Sequence, residues 1–224
     1  IVQDVVYREQ SNKRQTMTLN SYIALYQEQA EQGVRKTQKG TSFSPGTIKS
    51  IRLARHQFEV FQVKSGKVYD FNDIDYGFRT MFLSYLYGDK KYNVNTAAKC
   101  INTLITILGA AEAEGYHNNT KCLSRQFRAK RKDVDNVYLT KEELQAMMDA
   151  DISHLTRLHE LARDIFMVGV YTAQRVSDYN NIAPENIVTG PDGETIIRLR
   201  QKKTGTLLSI PVKEELKQIL LKYD

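Results

Sequence analysis

The 224-residue sequence predicts a mainly α protein: a four-helix bundle followed by a mixed α+β unit with a small antiparallel sheet. Three observations carry this. Apolar residues recur at helical spacing through roughly the first 120 residues. The pattern then stops in a charged stretch, residues 121–135. Beyond it, helical spacing returns and gives way to short alternating runs separated by turns. An apolar fraction of 41% and a charged fraction of 26% are those of a globular chain, and they exclude a disordered, collagen-like or disulfide-stapled protein. No apolar run approaches the roughly 20 residues that a membrane span needs.

The first predicted helix runs from about Thr18 to Gly33, with Leu19, Tyr22, Ile23 and Tyr26 on its apolar side. Ser44 is expected to cap the second helix, and Pro45 suits its first turn, where a missing N–H costs little. Ile48, Ile51, Phe58 and Phe61 form the stripe of that helix; Arg52, Arg55 and His56 fall largely on the other side. A third helix covers roughly Ile74 to Tyr87, with Phe78, Met81, Phe82 and Tyr85 apolar. A fourth runs from about Asn95 to Gly115, burying Ile101, Leu104, Ile105 and Leu108. Thr140 and Glu143 form a capping box that starts a helix over Lys141–Ala150. A longer helix follows, with Leu158, Leu161, Ile165, Val168 and Val170 apolar. It breaks near Tyr171, ahead of a short helix at about Arg175 to Asn180. Strands are expected at 186–188, 194–201 and 207–212, joined by a Gly190-Pro191-Asp192-Gly193 turn and a second turn over 202–206. A last helix covers Val212 to Tyr223. The expected divisions are residues 1–125 as a helical domain, 126–136 as a basic linker, and 137–224 as the second domain. The chain starts at Ile1 and stops at Asp224 within a predicted helix, as a fragment would. No charged region precedes an apolar one at its start, so no signal peptide is expected.

The formal charge of +6 is unevenly spread. Residues 35–67 hold eight basic side chains (Arg35, Lys36, Lys39, Lys49, Arg52, Arg55, Lys64, Lys67) against one acid, Glu59. Residues 121–132 hold six (Lys121, Arg125, Arg128, Lys130, Arg131, Lys132) and no acid. Solvated faces normally interleave their signs, so two blocks of one sign suggest a surface for phosphate. The bland alternative is a solubilising face and a flexible basic linker. A polyanion is the expected partner. The candidate contacts are Lys49, Arg52, Arg55 and His56 on the second helix, Thr96 and Lys99 on the fourth, and Arg128, Lys130, Arg131 and Lys132 on the linker. Such contacts mostly set register on the backbone.

Cys100 and Cys122 form no Cys-x-x-Cys pair, and His56, His117, His154 and His159 show no ligand spacing with them. Two reduced thiols in a cytoplasmic protein are expected, with no metal and no cofactor.

Two segments carry chemistry. One is Gly169-Val170-Tyr171-Thr172-Ala173-Gln174-Arg175-Val176-Ser177-Asp178. The other is Arg200-Gln201-Lys202-Lys203-Thr204-Gly205-Thr206, followed by Leu208-Ser209-Ile210-Pro211-Val212. Together they resemble the tyrosine recombinase (phage integrase) family, most closely the integrases of phages and conjugative transposons. That family has a Thr-Gly-x-Arg-x-Ser-Glu/Asp run and then a Lys in a β-hairpin ahead of an Ile-Pro strand. The resemblance extends to the domain order and covers nearly the whole chain. It implies a SAM-like core-binding bundle, a linker, and the first part of a catalytic domain. It also implies DNA cleavage and rejoining through a 3′-phosphotyrosyl link, on a tetramer assembled on DNA.

By resemblance, Arg175 is a catalytic arginine. A guanidinium grips two oxygens of a five-coordinate phosphorane and keeps its charge throughout. Asp178 supports it, and Lys203 is the hairpin lysine that protonates the departing 5′ oxygen. Lys202 is adjacent and could take that place; Lys203 is preferred because the family lysine directly precedes the Thr. Lys202 and Thr204 are then expected to contact DNA. The plain alternatives are a surface arginine paired with Asp178 at i,i+3 and two solvated turn lysines. Ala173 departs from the family's Gly. The family's His-x-x-Arg box, later His or Trp, and nucleophilic Tyr are expected beyond Asp224, and Tyr171, Tyr179 and Tyr223 are not at the nucleophile's position. The fragment is therefore expected to be inactive. Two other readings remain open: a non-catalytic DNA-binding regulator that uses the bundle alone, and a bundle that binds protein.

Overall fold

The computed structural model describes residues 17–223. The expectations for the first sixteen residues and for Asp224 lie outside the described residues. The chain divides into two compact units between Asp135 and Asn136.

The first unit contains four helices: α1 (Leu19–Glu31), α2 (Pro45–Ser65), α3 (Tyr76–Gly88) and α4 (Val94–Ala113). Each starts at a side chain that accepts a backbone N–H of the first turn: Thr18, Ser44, Asp75 and Asn93. Gly66 ends α2 in the left-handed conformation, where a Cβ would be strained. Around Phe61 the rings of Tyr69, Phe78, Phe82 and Tyr85 lie 5.2–5.8 Å away, centroid to centroid. The Tyr85 hydroxyl, brought into this core, donates to Gln57 Oε1 at 2.9 Å. Met81, expected on the apolar face, is instead half-exposed on the outer side of α3.

At the centre is α4. Its Ala97, Ala98, Ile101, Leu104, Ile105, Ile107, Leu108 and Ala111 are all buried. Among the described residues it is the one helix whose length and composition would allow it to cross a membrane. This qualifies the expectation of no span-length apolar run: here the apolar surface is spent on the bundle core. Cys100 and Cys122 are buried in the same core, and burial pushes their thiols up to about 12 and about 11.

The segment expected to be a linker is partly fastened to this bundle. Phe127 and Ala129 are buried while Arg128 and Lys130 point outward. Two asparagines of α4 hold it. Asn102 donates from Nδ2 to the Ala129 carbonyl (3.0 Å) and accepts the Ala129 N–H at Oδ1 (3.1 Å). Asn95 makes the same pair with Lys132, at 2.9 and 2.8 Å. Seven residues apart, they share one face of the helix two turns apart. Each side-chain amide thus treats the strap as a neighbouring strand would.

The second unit begins with α5 (Lys141–Asp149), started by the expected Thr140–Glu143 capping box. It continues through α6 (Arg157–Thr172), the single turn α7 (Val176–Tyr179), a three-stranded sheet and α8 (Glu214–Leu221). Strands β1 (Ile187–Thr189), β2 (Thr195–Arg200) and β3 (Leu207–Pro211) pair antiparallel in that order. Ile197, Leu199 and Leu216 form the buried centre, with Val168, Tyr171 and Leu220 packed on it. Ile196, on the other face of β2, is also buried, because Val188 and Pro211 lie opposite it on either side. On α6 the expected apolar face is only half used. Leu158 and Ile165 are exposed, since the helix meets the core through Val168 and Tyr171. At mid-helix the buried carboxylate of Asp164 accepts from Lys222 Nζ (3.0 Å) and the Tyr223 hydroxyl (2.9 Å), tying the end of α8 to α6.

Replacing Asn102 with Ala removes two bonds to a half-buried backbone. We expect a loss of about 1–2 kcal/mol in urea unfolding. Trypsin should also cut faster after Arg128 and Lys130, once the strap is no longer held flat.

Candidate functional site

Charge blocks in sequence are not charge blocks in space. In the first basic block, Arg35 pairs with Glu114 (2.7 Å), Arg52 with Glu31 (2.7 Å), Arg55 with Glu59 (2.8 Å) and Lys67 with Asp73 (2.8 Å); Lys64 pairs with Asp89. Arg35 also lies over the Tyr26 ring at 4.3 Å, as part of the bundle wall. Of the candidate contacts on α2, Lys49 and His56 are exposed, while Arg52 and Arg55 are engaged by acids. The second block differs. Among the described residues none of Lys121, Arg125, Arg128, Lys130, Arg131 and Lys132 has an acidic partner.

Part of that second block converges with α4. Lys99, Arg128 and Arg131 line an open trough with Ser44, Gly46, Thr47 and Ser50 at the start of α2 and Asn102, Thr103 and Thr106 on α4. Three cations and several hydroxyls on one concave surface form a polar, positively charged cradle. Thr96 lies apart from this lining, in the first turn of α4, with its N–H held by Asn93.

The second unit holds the other cluster. Helix α6 ends at Ala173, which is left-handed at φ 52°, and the chain turns into α7 with Arg175 at the N-cap. The Arg175 side chain is 48% exposed, whereas that of Asp178 is 0% exposed. The two approach at 3.6 Å, from Arg175 Nη1 to Asp178 Oδ2. The other carboxylate oxygen accepts the backbone N–H of Lys202 at 2.9 Å. A second link joins the same two segments. Gln201 Nε2 donates to Gln174 Oε1 (2.8 Å), and the Thr204 hydroxyl donates to Gln201 Oε1 (2.7 Å). The turn itself is closed by Gly205 N–H to the Gln201 carbonyl (2.8 Å), with Gly205 at φ 72° and both Lys202 and Lys203 exposed. The guanidinium and the two turn lysines therefore belong to neighbouring segments of one surface. Tyr171 packs into the core of this unit, and burial raises its phenol. Tyr179 lies against Gly169.

Residues 18–127 match the phage integrase SAM-like domain. The first unit is a domain of that kind. Across both units the fold is that of known recombinases. A crystal structure of a lambda integrase tetramer bound to a Holliday junction matches with a TM-score of 0.62 and 24% identity, over 94% of this chain and 57% of that one. XerH site-specific recombinase bound to palindromic difH substrate, in a post-cleavage complex, matches with a TM-score of 0.55 and 14% identity, over 88% and 56%. Domain match and fold together support the tyrosine recombinase family. The chain spans little more than half the length of these relatives. No curated protein sequence matches it.

Within this integrase frame, several residues at the clusters had no place among the candidates. Asn95, Asn102, Thr103 and Thr106 were visible only as polar interruptions on an apolar helix. Gln174 and Gln201 carried no signal at all, since neutral amides declare themselves only through a partner. The integrase-like departure at Ala173 does have a local reading. A left-handed L-residue costs roughly 1–2 kcal/mol, and glycine recovers this less its own entropy loss. We expect Ala173→Gly to stabilise the second unit by about 0.5–1 kcal/mol in thermal or urea unfolding. Gly169→Ala should do the opposite. Its Cβ would meet the Tyr179 ring at 2.7 Å, and overpacking of this kind costs about 1–3 kcal/mol.

Proposed function

We propose that this chain is the DNA-gripping part of a site-specific DNA recombinase, with the first catalytic groups of its active centre. The observation that carries this is the carboxylate of Asp178, which faces Arg175 with one oxygen and holds the Lys202 amide with the other. An arginine and a lysine-bearing turn are thereby kept beside each other, with the guanidinium half-exposed toward solvent. That pairing suits phosphoryl transfer. Arg175 stabilises the extra negative charge on the non-bridging oxygens of the phosphorane. Lys203 gives a proton to the 5′ oxygen as the P–O5′ bond breaks. The incoming tyrosine oxygen forms the new P–O bond and loses its proton to water, so a 3′-phosphotyrosyl link and a free 5′ hydroxyl result. Rejoining reverses these steps. In this reading the nucleophile is none of Tyr171, Tyr179 and Tyr223: the first packs into the core, the second lies against Gly169, and the third donates to Asp164.

The bundle supplies grip. Lys99, Arg128 and Arg131 in the trough, with Lys130 and Lys132 on the strap, take backbone phosphates; Lys49 and His56 extend the contact along α2, and Lys202 and Thr204 touch DNA at the turn. The solved lambda integrase is a tetramer on a Holliday junction. We extend a tetrameric working form to the complete protein, acting in the cytoplasm on behalf of a mobile element. The regulator reading uses the trough alone and leaves Arg175 and Lys203 without a task.

Two measurements test this. Duplex affinity of the chain should fall with salt at a log–log slope of about −0.9 per phosphate neutralised. Replacing Arg128, Lys130, Arg131 and Lys132 together with Ala should weaken binding and flatten that slope by about 0.9 for each phosphate left without its cation. Replacing Arg52 and Arg55, already paired with acids, should change it less. Affinity untouched by the fourfold change would remove the grip. On a nicked suicide substrate, the 224-residue chain should form no covalent adduct, whereas the protein extended through its nucleophile should form one. Arg175→Ala in the extended protein should cut its rate by about 10²–10³-fold. An adduct indifferent to that change would sink the recombinase assignment.

A further inference from the structure

We propose that Gln201, working with Gln174, is a positioning residue that presents Lys203 for proton transfer; this rests on the recombinase reading above. The two amides form a relay of fixed polarity. The Thr172 carbonyl can only accept, so Gln174 must turn its Nε2 toward it, and the two lie 3.1 Å apart. Gln174 Oε1 is then left facing Gln201, which must answer with its own Nε2, at 2.8 Å. Gln201 Oε1 is left in turn for the Thr204 hydroxyl, at 2.7 Å. Every dipole in the chain points the same way, an arrangement in which each bond strengthens the next. Neither glutamine can flip without setting two acceptors against each other.

The relay has a specific place. It starts at the carbonyl of the last residue of α6, passes through the residue before Arg175, and ends on the residue after Lys203. On the other side of Lys203, the Lys202 amide is held by Asp178. Lys203 is thus bracketed by two pins, one through a backbone amide and one through a side-chain hydroxyl, and both run to the arginine segment. Its own side chain stays exposed. A turn with an exposed lysine and Gly205 beside it would otherwise sample many orientations. Holding both neighbours fixes the direction from which the ammonium leaves the turn, and references it to Arg175 rather than to the sheet. Asp178 alone holds only the Lys202 side of the turn to the arginine segment; the relay holds the Thr204 side.

The test separates proton donation from general damage. In the recombinase extended through its nucleophile, Gln201→Ala should slow single-turnover cleavage of an ordinary substrate by about tenfold. On a substrate with sulfur in place of the bridging 5′ oxygen, whose leaving group needs no proton, its rate should equal that of the unaltered protein. Gln174→Ala, which cuts the relay at the residue before Arg175, should show the same selective defect. Arg175→Ala should remain slow on both substrates. In the 224-residue chain, Gln201→Ala should also speed hydrogen exchange of the Lys202 amide by about tenfold. Equal slowing on the two substrates, no slowing on either, or unchanged Lys202 exchange would each overturn the proposal. If the unaltered extended protein cleaves neither substrate, it is the recombinase reading that fails.

Discussion

The second unit depends on a buried charge. A carboxylate out of water is costly unless other groups compensate it, and Asp178 has no exposed side-chain surface. One oxygen is satisfied by the Lys202 amide; the other faces only the Arg175 guanidinium, at 3.6 Å, and finds no hydrogen-bond partner among the described residues. The requirement acts at once on two segments 24 residues apart. It draws the β2–β3 turn against α7 and leaves Arg175 a reason to stay near while half its surface remains open. Removing the carboxylate would free the Lys202 side of the turn and the arginine together. The placement of the arginine and the turn, and the stability of the unit, are therefore not separable at this residue.

The first unit solves a different problem. Helix α4 is apolar enough to need burial on most sides, and the other three helices supply it. Its remaining face carries Asn95, Asn102, Thr103 and Thr106, and the asparagines bind a strap that would otherwise be solvated chain. With alternate residues of the strap buried, Arg128 and Lys130 face outward. A basic stretch becomes a basic surface only through that fastening. The cations of the earlier block meet acids brought in by other helices, and exposed pairs of that kind contribute little to stability. Their effect is to lower the positive charge over α2 and leave it concentrated along the strap and trough.

Much of the architecture was legible in the sequence because it is written in short-range terms. Ser44-Pro45, the Thr140–Glu143 box and Gly205 act within a turn of their own positions, and apolar spacing marks one helix at a time. Arg175, Asp178 and Lys203 were singled out through resemblance to a family motif, not through any physical pattern. What escaped was relational. The expected linker is held by two asparagines far upstream. Leu158 and Ile165 fit the apolar period of α6 yet stay exposed, because periodicity marks a face without saying what covers it.

The sequence by itself determined the helices, the hairpin and the inventory of charged residues, because local sterics and backbone hydrogen bonding act over a few residues. Only the tertiary structure decided which cations stay clear of acids, which amides align into a relay, and which carboxylate is buried between two segments. Those outcomes depend on groups tens of residues apart meeting in space, and on the cost of leaving a charge or a polar atom without a partner once they have met.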